Sequence, residues 1–375
     1  MSNFSNIHLS SRAFNSVALY IQGPGEIYSI FRYSAEYGRR IIFIADDGVM
    51  TLIREKIESI PDKCSMEYGY LLFSGECCSE YIQELSVQVS AGEYDVVCGL
   101  GGGKVLDTVK LVAGELGLPR IIVPTSASND SPAANWAALY TSDGVHISGV
   151  PVKGCTELVL ADSEIIAGAP ARLFAAGIGD AYATWYEAEA VRRSSSPNML
   201  RDYTGTCTST AVSRACRDIL DEKGVEAYKA VKLKKLTPAV EDVIEANILL
   251  SGLGFVNAGL AGAHGYHSGI SAIKSTGEYL HGEKVAFGLL CQLAYENADT
   301  EEIKRVARFF TEIELPVTLG QLGAELSDDN LRLVSEHMLS VNHLIDHEGI
   351  PATSERIEAA LTAADKIGRD VLNEA

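Results

Sequence analysis

Three segments in the second half of this 375-residue chain place carboxylate and imidazole groups among apolar residues. They are Gly177–Ala181, which contains Asp180, Ala263–His267, which contains two histidines, and Tyr279–Lys284, which contains His281. A single histidine near an apolar helix is more often a core or surface group than a ligand. Two imidazoles and one carboxylate would leave one position of a divalent ion open, as catalytic zinc requires. The residue types alone leave both interpretations open.

A glycine-rich loop in the first half is the second group that could bind a ligand. Gly99-Leu100-Gly101-Gly102-Gly103-Lys104 follows the apolar run Asp95–Cys98 and opens a helical pattern at Val105–Leu116. Consecutive glycines let backbone N–H groups approach an anion, and a helix N-terminus adds its positive dipole end. Because the pattern is neither GxGxxG nor a P-loop, a tight turn without a ligand stays the alternative to a pyrophosphate site.

Asp46 directly follows the strand-like run Arg40–Ala45. A carboxylate at the carboxyl end of a strand can accept a hydrogen bond from a ribose 2′-hydroxyl, and it repels a 2′-phosphate. Taken alone, such a residue is more often a helix N-cap or a loop acid. Together with the glycine loop, it indicates NAD rather than NADP.

The elements that must position these residues differ between the two halves of the chain. In residues 1–162, apolar runs alternate with helical patterns, which predicts βαβ units and a mostly parallel, Rossmann-like sheet. Ser142-Asp143-Gly144 predicts a hairpin near Leu139–Gly149. Residues 163–375 are rich in alanine and predict a helical, metal-binding domain. The expected fold class is therefore α/β plus all-α, in two domains. The predicted strands are Ser16–Ile21, Arg40–Ala45, Tyr70–Phe73, Val96–Leu100 and Arg120–Pro124.

Composition excludes several classes of partner. The net charge of −19, from 31 basic and 50 acidic residues, disfavours nucleic acid and anionic membrane surfaces. The most membrane-like stretch, Ile248–Ala263, is shorter than the roughly 18–20 apolar residues that span a bilayer. Met1–Ser11 lacks the apolar core of a secretory signal. The 8 cysteines form no CxxC pair, which favours reduced thiols in the cytoplasm.

The motifs together resemble one known family. Gly179-Asp180-Ala181, Ser251-Gly252-Leu253-Gly254-Phe255 and His281-Gly282-Glu283-Lys284, with Gly101–Lys104 and Pro124-Thr125, occur in the order seen in the glycerol dehydrogenase branch of the iron-containing alcohol dehydrogenase superfamily. The similarity runs over nearly the whole chain. It implies a dehydroquinate synthase-like fold, with a dinucleotide-binding α/β domain followed by a helical domain.

The resemblance also implies roles for individual residues. Asp180, His264 and His281 would be metal ligands, and Asp130 would bind a substrate hydroxyl, so these four residues would carry catalysis. His267, one turn after His264, is an alternative ligand or a group beside the substrate. Residues in the first half would contact NAD: Asp46, Gly101, Gly102, Gly103, Lys104, Thr125, Ser128, Ala134, Trp136 and Tyr140.

Three departures refine these expectations. Iron-dependent members of the superfamily carry a histidine four residues after the aspartate, where this chain has Thr184. Three protein ligands remain, which favours zinc over iron. Trp136 stands where a smaller aliphatic residue is expected, and Ala134 replaces a small hydroxyl residue. These two changes bear on substrate size more than on reaction type.

The activity implied by the resemblance is reversible oxidation of the secondary hydroxyl of glycerol to dihydroxyacetone. Zinc would lower the pKa of the reacting hydroxyl, and hydride would pass to NAD. A related diol or 2-hydroxycarboxylate dehydrogenase is the nearest alternative. A dehydroquinate synthase-like or glycerol-phosphate enzyme is a more distant one, because its phosphate-bearing substrate calls for several basic residues and only Lys274 and Lys284 flank the expected ligands. The intact set of Asp180, His264 and His281 beside Asp130 argues against an NAD- or metal-sensing module. A cytoplasmic homo-oligomer, often an octamer, is also implied.

Overall fold

A computed structural model describes residues 11–144, 146–201, 203–341 and 343–374. Contacts between Cα atoms divide these residues into two compact units. The sheet unit contains residues 16–174 and 230–252, and the helical unit contains residues 11–15, 175–229 and 253–374. Residues 230–252 thus group with the sheet, although they follow residue 163 in sequence. The domain boundary after residue 162 stays a prediction.

Six parallel strands form the main sheet, in the order β1-β8-β5-β4-β2-β3. The predicted parallel sheet is confirmed. Two further strands, β6 and β7, pair antiparallel as the predicted hairpin. The strands are β1 Tyr20–Gly23, β2 Arg40–Ala45, β3 Glu67–Leu72, β4 Val96–Gly101, β5 Arg120–Pro124, β6 Trp136–Tyr140, β7 His146–Pro151 and β8 Leu158–Asp162.

Helices flank this sheet, whose central strands are predominantly apolar. β4, β5 and β8 are buried at every residue, as expected for parallel strands that are covered on both faces. The core of the unit includes Phe31, Phe43 and Leu100. The helices that lie wholly in this unit are α1 Ile30–Ser34, α2 Asp47–Glu58, α3 Ser79–Ala91, α4 Gly103–Leu116, α5 Ser163–Gly168 and α8 Pro238–Glu245, which continues into a π-helical turn at Ala246–Leu250.

The predicted helical character of the second half is also confirmed. α10 and α11 pack against each other, and α14 packs against α11, α12 and α13. The remaining helices are α6 Ala171–Ser194, α7 Cys207–Lys232, α9 Ser251–Ala258, α10 Gly262–Ser271, α11 His281–Tyr295, α12 Thr300–Glu312, α13 Asp328–Ser340 and α14 Ser354–Glu374. Short 3₁₀ turns occur at Glu26–Ser29, Ser131–Ala133, Lys274–Glu278, Gly320–Leu322 and Leu344–Glu348.

Among the described residues, no single helix has the length and apolar character needed to cross a membrane. Pro238–Ala258 and Gly262–Ser271 meet the criteria of length and composition only when they are taken together across the break between them.

Candidate functional site

One carboxylate and two imidazoles, far apart in sequence, meet within the helical unit. Asp180 lies on α6, His264 lies in the first turn of α10, and His281 is the first residue of α11. One donor atom from each residue lies within 4.8 Å of the other two. Asp180 Oδ1 is 3.1 Å from His281 Nε2 and 3.5 Å from His264 Nε2. The three residues therefore form one cluster, which we call the Asp-His-His centre.

The Asp-His-His centre fits a metal ion on two observations. Both carboxylate oxygens of Asp180 are buried without a hydrogen-bond partner, which is costly unless another species satisfies them. Bonds of about 2.0–2.1 Å in a tetrahedral arrangement separate two donors by about 3.4 Å. The separations measured from Asp180 Oδ1 bracket that value. A small divalent ion would satisfy the oxygens without moving these side chains far.

Electrostatics at the centre favour an ionised carboxylate. Burial opposes ionisation of Asp180, but the imidazoles of His281 and His264 outweigh it and hold the pKa of Asp180 well below its usual range. Burial likewise opposes the charged form of His264, whereas the carboxylates of Glu187 and Asp180 raise the pKa of His264 above its usual value. Protons and a cation therefore compete for the same donor atoms.

A glycine lets the helices approach closely enough to assemble the centre. A Cβ atom placed on Gly179 would lie 2.7 Å from the carbonyl oxygen of Gly282 and 3.0 Å from the Cβ of Ala286. Only a residue without a side chain permits this contact between α6 and α11. Since Gly179 precedes Asp180 and Gly282 follows His281, the close approach acts directly on two members of the centre.

Two further residues contact the imidazoles of the centre. His267 Nε2 lies 3.0 Å from His281 Nδ1, so His267 touches a member of the centre. Glu187, buried on α6, lies 2.7 Å from His264 Nδ1. The sequence motifs alone predict no role for Glu187. The available signal was its place two helical turns after Asp180, on the same face of α6.

In the sheet unit, a cavity of about 600 Å³ lies beside the carboxyl ends of β2, β4 and β5. Four of the residues expected to contact NAD line it: Asp46, Gly102, Thr125 and Ser128. Asp46 Oδ1 also accepts a hydrogen bond from the backbone N–H of Val49 at 2.9 Å, so it is the N-cap of α2. The helix-cap interpretation of Asp46 and its position on the cavity wall therefore both hold.

The glycine loop suits an anionic ligand. α4 begins at Gly103, and its N-cap, Gly102, provides no side-chain hydrogen bond to the first turn. A Cβ atom on Gly102 would meet nothing within 4 Å, so open space adjoins this backbone. Gly101 has a φ of 152°, which favours glycine. The free N–H groups of a helix N-terminus facing a cavity are the donors that a pyrophosphate needs.

The other residues expected to contact NAD lie near the loop but have contacts within the protein. Lys104 forms an ion pair with Glu76 at 2.7 Å, and its Nζ is 5.4 Å from the ring centroid of Tyr140. The backbone carbonyls of Ala134 and Trp136 both accept hydrogen bonds from the buried ammonium group of Lys110. Their roles toward a cofactor stay predictions.

Asp130, the expected substrate residue, is nearly buried in the sheet unit. Its Oδ2 accepts a hydrogen bond from the Ser251 hydroxyl at 2.7 Å. A Cβ atom on Gly252 would lie 2.7 Å from the Asp130 carbonyl oxygen, so this position needs glycine. Asn247, within the π-helical turn, donates to the carbonyl of Ala127 at 3.1 Å. The turn and the residue after it thus hold the loop that carries Asp130.

Comparison with known proteins shows which family this chain is similar to. The sequence profile of the iron-containing alcohol dehydrogenase family matches residues 18–163. A glycerol dehydrogenase of Thermotoga maritima is 42% identical over 93% of this chain and 96% of its own length. A glycolaldehyde reductase of Halobacterium salinarum is 35% identical over 96% of this chain and 98% of its own length. The crystal structure of glycerol dehydrogenase from Schizosaccharomyces pombe superimposes with a TM-score of 0.93 at 32% identity, covering 98% of this chain and 94% of that one.

The protein combines a parallel α/β sheet unit, which has a cavity beside its glycine loop, with a helical unit that holds the Asp-His-His centre. The chain belongs to the iron-containing alcohol dehydrogenase family. Its place there is the glycerol dehydrogenase branch, because the full-length similarity is to proteins of that branch. The family resemblance predicted from the sequence is confirmed.

Proposed function

We propose that this protein oxidises the secondary hydroxyl of glycerol to dihydroxyacetone, reversibly, with NAD as hydride acceptor and zinc bound by Asp180, His264 and His281. The observation that carries the proposal is the buried carboxylate of Asp180, whose Oδ1 faces the Nε2 atoms of His281 and His264 at 3.1 and 3.5 Å. Similarity to a glycerol dehydrogenase over nearly the whole chain supports the substrate class.

Asp180, His264 and His281 would hold the ion through one carboxylate oxygen and two Nε2 atoms. An ion held there would supply Lewis-acid chemistry, which lowers the pKa of the reacting hydroxyl so that its alkoxide becomes accessible at mildly alkaline pH. The partial exposure of His281, at 40% of its side chain, supports access to this centre from solvent.

Residues of the sheet unit would bind the other reactants. Backbone N–H groups at Gly101–Gly103 would donate hydrogen bonds to the pyrophosphate of NAD, with Thr125 and Ser128 on the same cavity wall. Asp46 would accept a hydrogen bond from the ribose and disfavour a 2′-phosphate. Asp130, oriented by Ser251, would accept a hydrogen bond from a substrate hydroxyl. The side chains of Lys104, Ala134, Trp136 and Tyr140 would complete the cofactor contacts.

Zinc is proposed over iron because of Thr184. It occupies the position four residues after Asp180, one turn along the same helix face, and is buried. A threonine hydroxyl is a poor substitute for imidazole as a ligand, so three protein ligands and an open fourth position result. That number suits catalytic zinc.

The test is metal analysis of the purified protein combined with a substrate panel. We expect about one zinc per chain after dialysis, and NAD reduction with glycerol that exceeds the rates with ethane-1,2-diol, propane-1,2-diol and 2-hydroxy acids. His264→Ala and His281→Ala should each remove both zinc and turnover. His337→Ala is the control, because this imidazole lies on α13 and contacts Ser268 rather than the centre. Full turnover in a zinc-free double variant would refute the proposal.

The same panel separates the competing functions. Similarity to a glycolaldehyde reductase supports a second candidate, which acts on the two-carbon diol and aldehyde pair. A higher kcat/KM for glycolaldehyde and ethane-1,2-diol than for dihydroxyacetone and glycerol would establish it. A preference for a 2-hydroxy acid would favour a hydroxycarboxylate dehydrogenase. Binding of zinc and NAD without turnover of any substrate would favour a sensor.

We also infer that the enzyme acts in the cytoplasm as a homo-oligomer, an octamer by family resemblance. The 8 cysteines are free thiols, which supports a reducing compartment. Light scattering coupled to size-exclusion chromatography measures the oligomeric state directly. A mass equal to one 40.2 kDa chain would contradict the oligomer.

A further inference from the structure

Glu187 is a buried carboxylate that the proposed reaction does not use. It lies on α6 with no exposed surface. Its side chain accepts hydrogen bonds from the backbone N–H groups of Ala261 at 2.8 Å and His264 at 3.0 Å. It also lies 2.7 Å from His264 Nδ1. One carboxylate therefore contacts both the backbone and the ring of a proposed metal ligand.

The chemistry of these contacts fixes where the proton of His264 lies. An ionised carboxylate has only acceptor oxygens, so a hydrogen bond to it requires a proton on Nδ1. In a neutral imidazole, the other nitrogen, Nε2, then carries the lone pair. It is Nε2 that faces Asp180 Oδ1, at 3.5 Å. The nitrogen available to a cation is thus the one that points into the Asp-His-His centre.

The second imidazole of the centre has a different neighbour. His281 Nδ1 lies 3.0 Å from His267 Nε2, and a neutral imidazole nitrogen can either donate or accept. His267 therefore does not impose a single tautomer on His281 as a carboxylate does on His264. His264 is also the more buried of the two rings, with 12% of its side chain exposed against 40% for His281.

We propose that Glu187 is a positioning residue, which sets the tautomer and ring orientation of His264 so that its Nε2 lone pair is presented to the metal. The inference rests on the proposed function, because it assigns His264 a ligand role. Hydrogen-bond partners of this kind typically change metal affinity by 10–100-fold when they are removed.

A purely structural role for Glu187 makes a different prediction, and Glu187→Gln separates the two. The amide oxygen of glutamine can still accept from the N–H groups of Ala261 and His264. Its NH₂ group would face His264 Nδ1, which must then accept, so the ring proton moves to Nε2. A structural role would survive this substitution, whereas the tautomer role would be reversed.

The experiment compares wild type, Glu187→Gln and a matched control, Glu189→Gln. Glu189 lies on the same helix, is one quarter exposed and pairs with Arg192 at the surface. Chelator competition measures the affinity for Zn²⁺, and the visible absorption of the Co²⁺-substituted protein reports coordination geometry. We expect Glu187→Gln to weaken Zn²⁺ binding 10–100-fold and alter the Co²⁺ spectrum, with the Tm of the metal-free protein nearly unchanged. Glu189→Gln should match wild type.

A second measurement does not depend on the variant folding. Solid-state ¹⁵N NMR of histidine-labelled, metal-free wild type, recorded at a pH above the raised pKa of His264 so that its ring is neutral, should show the proton on Nδ1, with the His264 signal assigned by its loss in His264→Asn. A proton on Nε2, or unchanged Zn²⁺ affinity in folded Glu187→Gln, would overturn the inference. Failure of the wild type to bind any metal would instead overturn the proposed function, so the two failures are distinguishable.

Discussion

Gly282 lies so close to Ala176 that a Cβ atom added to Gly282 would come within 1.8 Å of the Ala176 carbonyl oxygen. Ala176 belongs to α6 and Gly282 to α11, the helices that carry Asp180 and His281. The two helices cannot approach this closely if position 282 carries a side chain, because that side chain would overlap the backbone of Ala176. The distance of 3.1 Å between Asp180 Oδ1 and His281 Nε2 therefore depends on a glycine that is not itself a member of the centre.

Gly282→Ala should consequently damage the metal centre without removing a ligand. The new methyl group must push α6 and α11 apart, at a cost of about 1–3 kcal/mol in the free energy of unfolding. We expect weaker Zn²⁺ binding by chelator competition, a lower Tm and a lower kcat. Gly277→Ala is the matched control, since its Cβ would meet nothing within 4 Å. Equal Zn²⁺ affinity in Gly282→Ala and wild type would contradict this account.

Lys110→Met should destabilise the sheet unit. The ammonium group is fully buried, 2.8 Å from Asp107, and donates to the backbone carbonyls of Ser131, Ala134 and Trp136. Removing one partner of a buried ion pair leaves an uncompensated charge, which costs about 3–5 kcal/mol. Urea unfolding measures the loss.

The exposed Lys235→Met serves as the control for Lys110→Met and should unfold at the wild-type midpoint. Lys110→Met should also raise the KM for the alcohol, because the ammonium group of Lys110 donates hydrogen bonds to Ser131, which directly follows Asp130. A wild-type urea midpoint for Lys110→Met would show that the buried pair adds no net stability.

Asp46→Asn should relax the preference for NAD. Asparagine is as good an N-cap as aspartate, so the hydrogen bond to Val49 and the stability of α2 should persist. Removal of the negative charge should lower the discrimination against a 2′-phosphate. We expect the ratio of kcat/KM for NAD to that for NADP to fall about tenfold, equivalent to about 1.4 kcal/mol. The control is Asp47→Asn, at the exposed residue that follows Asp46, and it should leave the ratio of kcat/KM for NAD to that for NADP unchanged.

Glu348→Gln should stabilise the protein in a pH-dependent way. Burial, with repulsion from Glu296 and Glu187, raises the pKa of Glu348 to about 9 from an ordinary value of 4.5. The folded state thus holds a proton that the unfolded state releases between these values, so wild-type stability falls as pH rises from 4.5 toward 9. Glutamine can still accept the hydrogen bond from Gly262 N–H and is never charged.

The gain in Tm for Glu348→Gln over wild type should be near zero at pH 4.5 and should grow up to pH 9. Scanning calorimetry of the two proteins across this range measures it. The exposed Glu336→Gln provides the control and should show no such trend. A gain in Tm that is largest at acid pH would be the opposite of the expected pH dependence and would refute the raised pKa of Glu348.

The strands whose bounds agree with the prediction are those with an uninterrupted apolar run in the sequence. β2 at Arg40–Ala45 and β5 at Arg120–Pro124 have the predicted bounds, because a continuous apolar run is a local property of the sequence. β8 was missed, since Leu158–Asp162 is short and directly precedes a helical segment. α10 was also missed, because Gly262–Ser271 contains three glycines, and glycine disfavours helices.

Sequence by itself determined the fold class, the family and the candidate residues, because strand runs, the glycine loop and the Asp and His motifs can be recognised over a few neighbouring residues. Only the tertiary structure decided that Asp180, His264 and His281 meet within 4.8 Å, and that Glu187 contacts the ring of His264. Such distances depend on how helices distant in sequence pack. That packing is set jointly by many side chains and by the glycines between them, so no local pattern contains it.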